Sequence, residues 1–263
     1  MSDMNSRMEH IEAASAKPKK LKKVRLDELL VEQGAFDTAG EVLRAVMARE
    51  VRVDDVYVSS AALKVHPDAD IFVKNRKQFV SRGGRKLQGA LDAFAQDVQG
   101  MSCIDIGSST GGFSDCLLQA GAARVACVDV NYGQLAWKLR QDPRVAVFER
   151  TNIKAADPAD LGAPFDMLVI DVSFIGLAAL AGAFPPLCHQ GSVFIGLIKP
   201  QFESRHDETD HGVVRDEAVR LRTVDEVCAA LEQVGFAVDG VVESSIKGPE
   251  GNVEYLVRAV FNR

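Results

Sequence analysis

From Met101 onward, short apolar runs recur along the chain as SCIDIG, RVACVDV, RVAVFE, FDMLVIDV, SVFIGLI, FAVDGVV and VEYLVRAVF. Helical stretches such as DEAVRLRTVDEVCAALEQVG lie between most of them. Runs this short read as buried strands, and their alternation with helices predicts an α/β domain with a mostly parallel, seven-stranded sheet covered on both faces. The expected domain spans residues 87–263. Sheets of this kind bind ligands beyond the carboxyl ends of their strands. Residues there that follow an apolar run at once are therefore the first candidates for chemistry.

The front of the chain reads differently. Residues 1–22 are poor in apolar residues and rich in lysine, so a disordered basic tail is expected. In RLDELLVEQGAF, Leu26, Leu29 and Leu30 mark one helical face and Gly34 is the expected stop. Thr38 is an N-cap candidate for a second helix with Val42, Leu43, Val46 and Met47 at helical spacing. VRVDDVYV then reads as two short strands about Asp54 and Asp55. This α+β unit, residues 23–74, resembles the small RNA-binding domain first known from ribosomal small-subunit protein four. It departs from that pattern in having Thr38-Ala39 at the second helix start and Glu50 where a glycine is usual before the first strand. The resemblance implies RNA contact, with Arg44, Arg49, Arg52 and Lys64 available for phosphates.

Charge supports the same division. Lys17 to Lys86 carries 16 Lys/Arg against 10 Asp/Glu, whereas the remainder of the chain is net acidic. The front is the part suited to a polyanion. The longest apolar candidate for a membrane segment, FIGLAALAGAF, is short and runs into Pro185 and Pro186, and the N-terminus shows no apolar h-region. A cytoplasmic protein is expected. The five cysteines, Cys103, Cys116, Cys127, Cys188 and Cys228, are widely spaced without a CxxC pair and read as reduced core residues rather than as a disulfide framework or zinc site.

The first strand runs into DIGSSTGGFS, a glycine-rich turn before a helix. A dinucleotide fingerprint needs a glycine where Ser109 stands, and a phosphate-cradling loop needs a lysine after Gly112. Both are missing. A loop that approaches a ligand without phosphates remains, with Asp105 before it and Asp129 at the end of the next strand. A carboxylate at the latter place accepts ribose hydroxyls, which S-adenosylmethionine supplies as readily as a nicotinamide dinucleotide. The sulfonium of that cofactor also suits an acidic pocket. The candidate cofactor residues are Asp105, Gly107, Ser109, Thr110, Gly111, Gly112, Phe113, Asp129, Asn152 and Asp171. Phe113 has a core role as its alternative, and Asn152 a local turn cap.

Two later strand ends carry opposite charges: Asp171 follows MLVI, and Lys199 follows FIGLI and precedes Pro200. Neither charge is buried cheaply alone, so the two form a candidate pair, structural or catalytic. Lys86 in SRGGRKL, in the segment before the sheet, and Glu254 in GPEGNVEYL, at the start of the last strand, join them as candidates.

Taken in order, SRGGRKL, DIGSSTGGF, VIDVSFI, LIKPQFE, HGVVRDE and GPEGNVEYL are similar to the motifs of the TlyA family of ribosomal RNA 2′-O-methyltransferases, over about Ser81 to Leu256. That family has also been labelled haemolysin. The resemblance implies a Rossmann-like methyltransferase domain, S-adenosylmethionine as cofactor, cytidine ribose in 16S or 23S ribosomal RNA as target, and a Lys-Asp-Lys-Glu tetrad at Lys86, Asp171, Lys199 and Glu254. The chemistry agrees with it. A ribose hydroxyl is a weak acid that must be aligned with the sulfonium methyl, by a group that orients it or takes its proton. Lys199 is the expected centre, held with Lys86 by the two acids. Burial and the second lysine favour a neutral Lys199, the acids favour its ammonium form, and the sequence leaves that balance open.

The segment NRKQFVSRGGRK, residues 75–86, is expected to be a basic linker whose Lys77, Arg82 and Arg85 contact RNA. Phe174 and Phe202 flank the site and read as core residues, with stacking on a flipped base as the alternative. His206 and His211 lie among Asp207 and Asp210 in what reads as a polar loop, and no metal is expected. The rival functions are a non-enzymatic RNA-binding protein on a methyltransferase fold and a methyltransferase of a non-RNA substrate.

Overall fold

A computed structural model describes residues 22–33, 35–36, 38–74 and 78–263. The expected tail apart from Lys22, the helix stop at Gly34 and the RNA-contact candidate Lys77 lie outside the described residues. The chain divides into two compact units, one of residues 22–31 and 38–74 and one that contains residues 78–263.

In the small unit, β1 (Val24–Arg25) pairs antiparallel with β4 (Lys64–Val65), and β2 (Val51–Val53) lies between β3 (Val56–Tyr57) and β5 (Ile71–Val73). Helices α1 (Leu26–Glu32) and α2 (Ala39–Met47) bury Leu26, Leu29, Leu30, Val42 and Val46. Thr38 caps α2 by accepting the Glu41 N–H at 3.2 Å. At its other end Arg49 is left-handed, φ 55°, and bonds Val46 O while Glu50 N bonds Ala45 O, a Schellman closure made without glycine. Asp54 and Asp55, φ 48° and 63°, supply the two left-handed residues of the β2–β3 hairpin turn.

The large unit opens with α3 (Gly83–Ala93). Lys86 therefore sits in a helix, not in an extended linker. Two glycines at a helix start read as a loop because glycine disfavours helix. Here the missing side chain is required, since a Cβ on Gly84 would overlap the Phe79 ring.

There follow β6 (Ser102–Ile106), α4 (Gly112–Gln119), β7 (Arg124–Val128), α5 (Trp137–Arg140), β8 (Val145–Phe148), α6 (Pro158–Leu161) and β9 (Phe165–Ile170). A 3₁₀ helix (Ala178–Ala183), β10 (Cys188–Ile198), α7 (Pro200–Glu203), α8 (Glu217–Gln233), β11 (Phe236–Glu243) and β12 (Tyr255–Phe261) complete the unit. The seven strands order as β11-β12-β10-β9-β6-β7-β8. Only β12 is reversed, pairing antiparallel with β10 and β11.

Alternate residues of each central strand enter opposite cores, as the two-residue strand period demands. Ile104, Ala126, Leu168 and Ile170 pack with Val227 and Leu231 of α8 on one face. Cys103, Val125, Met167 and Val169 pack with Leu87 of α3 and Leu117 of α4 on the other. The strands are buried on both faces, so their polar exits stand out at the carboxyl edge.

Candidate active site

β6 ends at Ile106 and the chain turns through Gly107 (φ 83°), Ser109 (φ 48°) and Gly111 (φ 91°) into α4. Gly107 has no substitute, because a Cβ there would overlap the carbonyl oxygen of Asp171 as well as strain a left-handed backbone. Gly107 and Ser108 N–H groups bond Val128 O at 2.8 and 3.2 Å, which ties the loop to the end of β7. Gly112 packs against Ser81 and Gly84, and Thr110 O accepts Ala136 N–H at 3.2 Å.

Asp105 is fully buried under this loop. Its Oδ2 accepts the N–H and hydroxyl of Ser114 at 2.9 and 2.6 Å, while Oδ1 has no partner. Burial pushes this carboxyl up to about 7, against the hydrogen bonds from Ser114 and with help from the negative charge of Asp171. Asp129 accepts Ser109 N–H and Asn131 N–H at 2.8 and 2.7 Å. Asn152 caps its own turn through Lys154 N–H at 3.0 Å and also lines a cavity.

Two cavities flank the loop and share Gly107, Ser109, Asp171 and Ser173. The larger, about 510 Å³, is bounded by Asp129, Asn131, Gln134 and Asn152. The smaller, about 260 Å³, is bounded by Lys86, Asp105, Phe113, Asp171 and Lys199. Phe113 is 2% exposed, so it serves the core and the cavity wall together. The residues present fit S-adenosylmethionine. An orphaned acidic oxygen suits a cation, the glycine loop admits a close approach, and the loop itself holds no lysine or arginine for phosphates.

The structure brings Lys86, Asp171, Lys199 and Glu254 together as two pairs. Pro200 stands at the first helical position of α7 and ends β10, leaving Lys199 as its N-cap residue. Lys199 Nζ lies 2.6 Å from Asp171 Oδ1, an ionic contact outside hydrogen-bond geometry, and donates to Ser173 Oγ at 3.0 Å. Lys86 pairs with Glu254, which is 1% exposed and also accepts Gln201 Nε2 at 3.3 Å. Both lysines are buried yet reach the same small cavity. Gln201 stands two residues after Lys199 in the chain and so connects one pair to the other.

Arg82 and Arg85 are exposed at the start of α3, and Arg82 lines the small cavity. In the small unit Arg44, Arg49 and Lys64 are exposed. Arg52 is half-buried between the rings of Tyr57 and Phe72, 5.8 and 4.4 Å from their centroids, because both rings are its cross-strand neighbours.

Phe174 corrects the core expectation. It is 93% exposed, left-handed at φ 68°, and touches Phe202 with ring centroids 5.7 Å apart. The apolar rule fails here because Phe174 sits past the end of β9, on a loop that no element covers among the described residues. Phe202 is half-buried beside Lys199. Ser173, Gln201 and Glu203 complete the site and were not singled out in the sequence. Each lies within four residues of Asp171 or Lys199, which was the available signal. Asp210 pairs with Arg215 at 2.7 Å, and among the described residues no group of three or more His, Cys, Asp or Glu is placed to hold a metal. No described helix is long and apolar enough to cross a membrane.

Comparison with known proteins agrees with this geometry. The family model of FtsJ-like methyltransferases matches residues 79–261. The 16S/23S rRNA (cytidine-2′-O)-methyltransferase TlyA of Mycobacterium tuberculosis is 40% identical, covering 90% of this chain and 89% of its own. Hemolysin A of Brachyspira hyodysenteriae is 35% identical over 90% of this chain and 100% of its own. A solved structure from Streptococcus thermophilus, named as a hemolysin, superposes with a TM-score of 0.69 at 37% identity, covering 92% of this chain and 90% of that one. A glycine loop without phosphate ligands, two lysine–carboxylate pairs at its mouth and likeness along nine-tenths of the sequence lead to one assignment: the chain belongs to the TlyA family of FtsJ-like methyltransferases.

Proposed function

We propose that this protein transfers a methyl group from S-adenosylmethionine to the ribose 2′-hydroxyl of cytidine in ribosomal RNA. The observation that carries the reading is the convergence of two buried lysines, each held by an acid, on one cavity beside the glycine loop. The cofactor supplies an electrophilic methyl carbon on a sulfonium. Asp105, Gly107, Ser109, Thr110, Gly111, Gly112, Phe113, Asp129, Asn152 and Asp171 are the residues that would hold it.

Lys199 is the centre of the proposed chemistry. Asp171 and Ser173 fix its Nζ, and the ribose hydroxyl meets that nitrogen either as a base that takes its proton or as a donor that turns an oxygen lone pair toward the methyl carbon. Glu254 holds Lys86, whose ammonium contacts the hydroxyl or the neighbouring phosphate. Phe174, exposed at the mouth, offers a ring on which a flipped base stacks. Arg44, Arg49, Arg52, Lys64, Lys77, Arg82 and Arg85 supply contacts to the RNA backbone. The work is done in the cytoplasm, where ribosomal subunits are.

The test is methyl transfer from labelled cofactor to ribosomal subunits of cells that lack the protein, followed by mapping of ribose methylation on each subunit. Label on a cytidine 2′-oxygen, lost with Lys199→Ala, is the expected result. Absence of cofactor affinity in calorimetry sinks the enzymatic reading, and transfer to small molecules but not to subunits sinks the RNA substrate.

A further inference from the structure

We infer that Glu203 is a positioning residue for the proposed transfer, resting on that reading. It latches the loop that carries Asp171, Ser173 and Phe174 onto the segment that carries Lys199. The ladder between β9 and β10 ends at the Ile170–Gly196 pair, one residue before Asp171 and three before Lys199. Past that point no strand pairing fixes the two segments relative to each other. Each segment keeps another neighbour, Asp171 through its N–H to Ile106 O at 3.0 Å and β10 through β12 as far as Ile198, so side chains set only the final approach of the two charged groups.

Glu203 is the last residue of α7, in the turn that Lys199 opens. Its Oε1 accepts the N–H of Leu177, and the carboxylate also takes the N–H of Ala178 at the start of the 3₁₀ helix. Gly176 makes room for this, because a Cβ there would overlap Glu203 Oε2 and lie 3.1 Å from Phe202 O. Phe174 and Phe202 rest against each other on the same crossing. The carboxylate has no lysine or arginine within ion-pair distance among the described residues, and Glu226 on α8 adds like charge; burial holds it above the usual carboxylate range. A half-buried acid without a counter-ion is a costly cap for one short helix. Its two N–H donors both belong to the loop that follows Asp171, so the carboxylate sets where that loop starts its return to the core.

Two variants test this from opposite sides of the contact, in the full-length protein. Glu203→Ala removes the acceptor, and Gly176→Ala leaves Glu203 in place but drives the loop off it. Both are expected to lower the single-turnover methylation rate on ribosomal subunits by about 10- to 100-fold, the usual cost of an ångström-scale misplacement. The cofactor Kd should stay within about threefold, and Glu203→Gln, which keeps one acceptor, should fall between Glu203→Ala and the unaltered protein. Amide exchange gives a readout independent of the reaction: protection at Leu177 and Ala178 should drop in both variants while that of β6 and β9 is kept. Unchanged exchange at those amides, or a lower Tm with an unchanged single-turnover rate, overturns the latch. Should the unaltered protein methylate no RNA, the functional reading falls while the exchange arm still decides the latch.

Discussion

Lys199 Nζ lies 2.6 Å from Asp171 Oδ1, across the carboxyl ends of two hydrogen-bonded parallel strands, β10 and β9. The Lys199 side chain is 10% exposed and that of Asp171 24%, so water screens the pair only in part. Lys199→Ala is expected to lower methyl transfer at least 100-fold, within the range of a lost proton-transfer group, with cofactor affinity kept within about threefold. Lys199→Arg separates the two roles. A guanidinium donates but does not give up its proton at neutral pH, so activity at the alanine level assigns Lys199 as the base, and activity well above it assigns a donor.

Lys86 and Glu254 are more deeply buried, and removal of one leaves the other charge without its partner. Glu254→Ala or Lys86→Ala should each cost about 3–5 kcal/mol of stability, because an uncompensated buried charge is worse than none. Lys86→Met with Glu254→Gln should recover most of that loss, since Gln201 still has an acceptor at position 254. Urea unfolding of the three variants checks it; a double variant destabilised by as much as the two singles together would show that the pair contributes little coupling.

These pairs show what the sequence discloses and what it hides. Lys199 was legible because an apolar run ending in Lys-Pro has one physical reading, a strand stopped at its carboxyl end. Asp171 was legible because it follows the apolar run MLVI at once. Lys86 was placed correctly in the order of motifs but in the wrong local structure, because the Gly83-Gly84 pair signals a loop until Phe79 and Gly112 are seen packed against it. Ser173, Gln201 and Glu203 bond to residues 26 to 53 positions away in the chain, and only their nearness to Asp171 or Lys199 marks them. Phe174 misled because apolar residues are read as core by default, and only the strand end at Ile170 reveals that it has left the core.

Asp105 makes stability depend on pH in a direction opposite to that of an ordinary paired carboxylate. Its folded value of about 7 lies above the unfolded value of 3.8, so between those limits the native state binds the additional proton. Stability due to this group is therefore present below about pH 4 and is lost as pH rises to about 7, then is flat. Asp105→Asn removes the titration while keeping an acceptor for Ser114. The expected outcome is a smaller fall in Tm between pH 5 and 8 than in the unaltered protein. The variant-minus-wild-type difference is the quantity to read, because Asp166, Asp142 and Glu208, held below their usual values, contribute with opposite sign at lower pH.

Phe174 joins backbone strain to exposure, and the two have separate consequences. A phenylalanine at φ 68° costs of order 1–3 kcal/mol, and with 93% of the residue exposed there is little burial to offset it. Phe174→Gly should then raise Tm by removing the strain, and Phe174→Ala should leave it nearly unchanged. Methylation should move the other way. A base stacked on an aromatic ring is worth about 1–3 kcal/mol, so both variants should lose about 5- to 150-fold in kcat/KM for ribosomal subunits. Phe174→Tyr, which keeps the ring, should restore activity that Phe174→Ala loses. A variant that is as active as the original would show that the ring meets no base and that its contact is Phe202 alone.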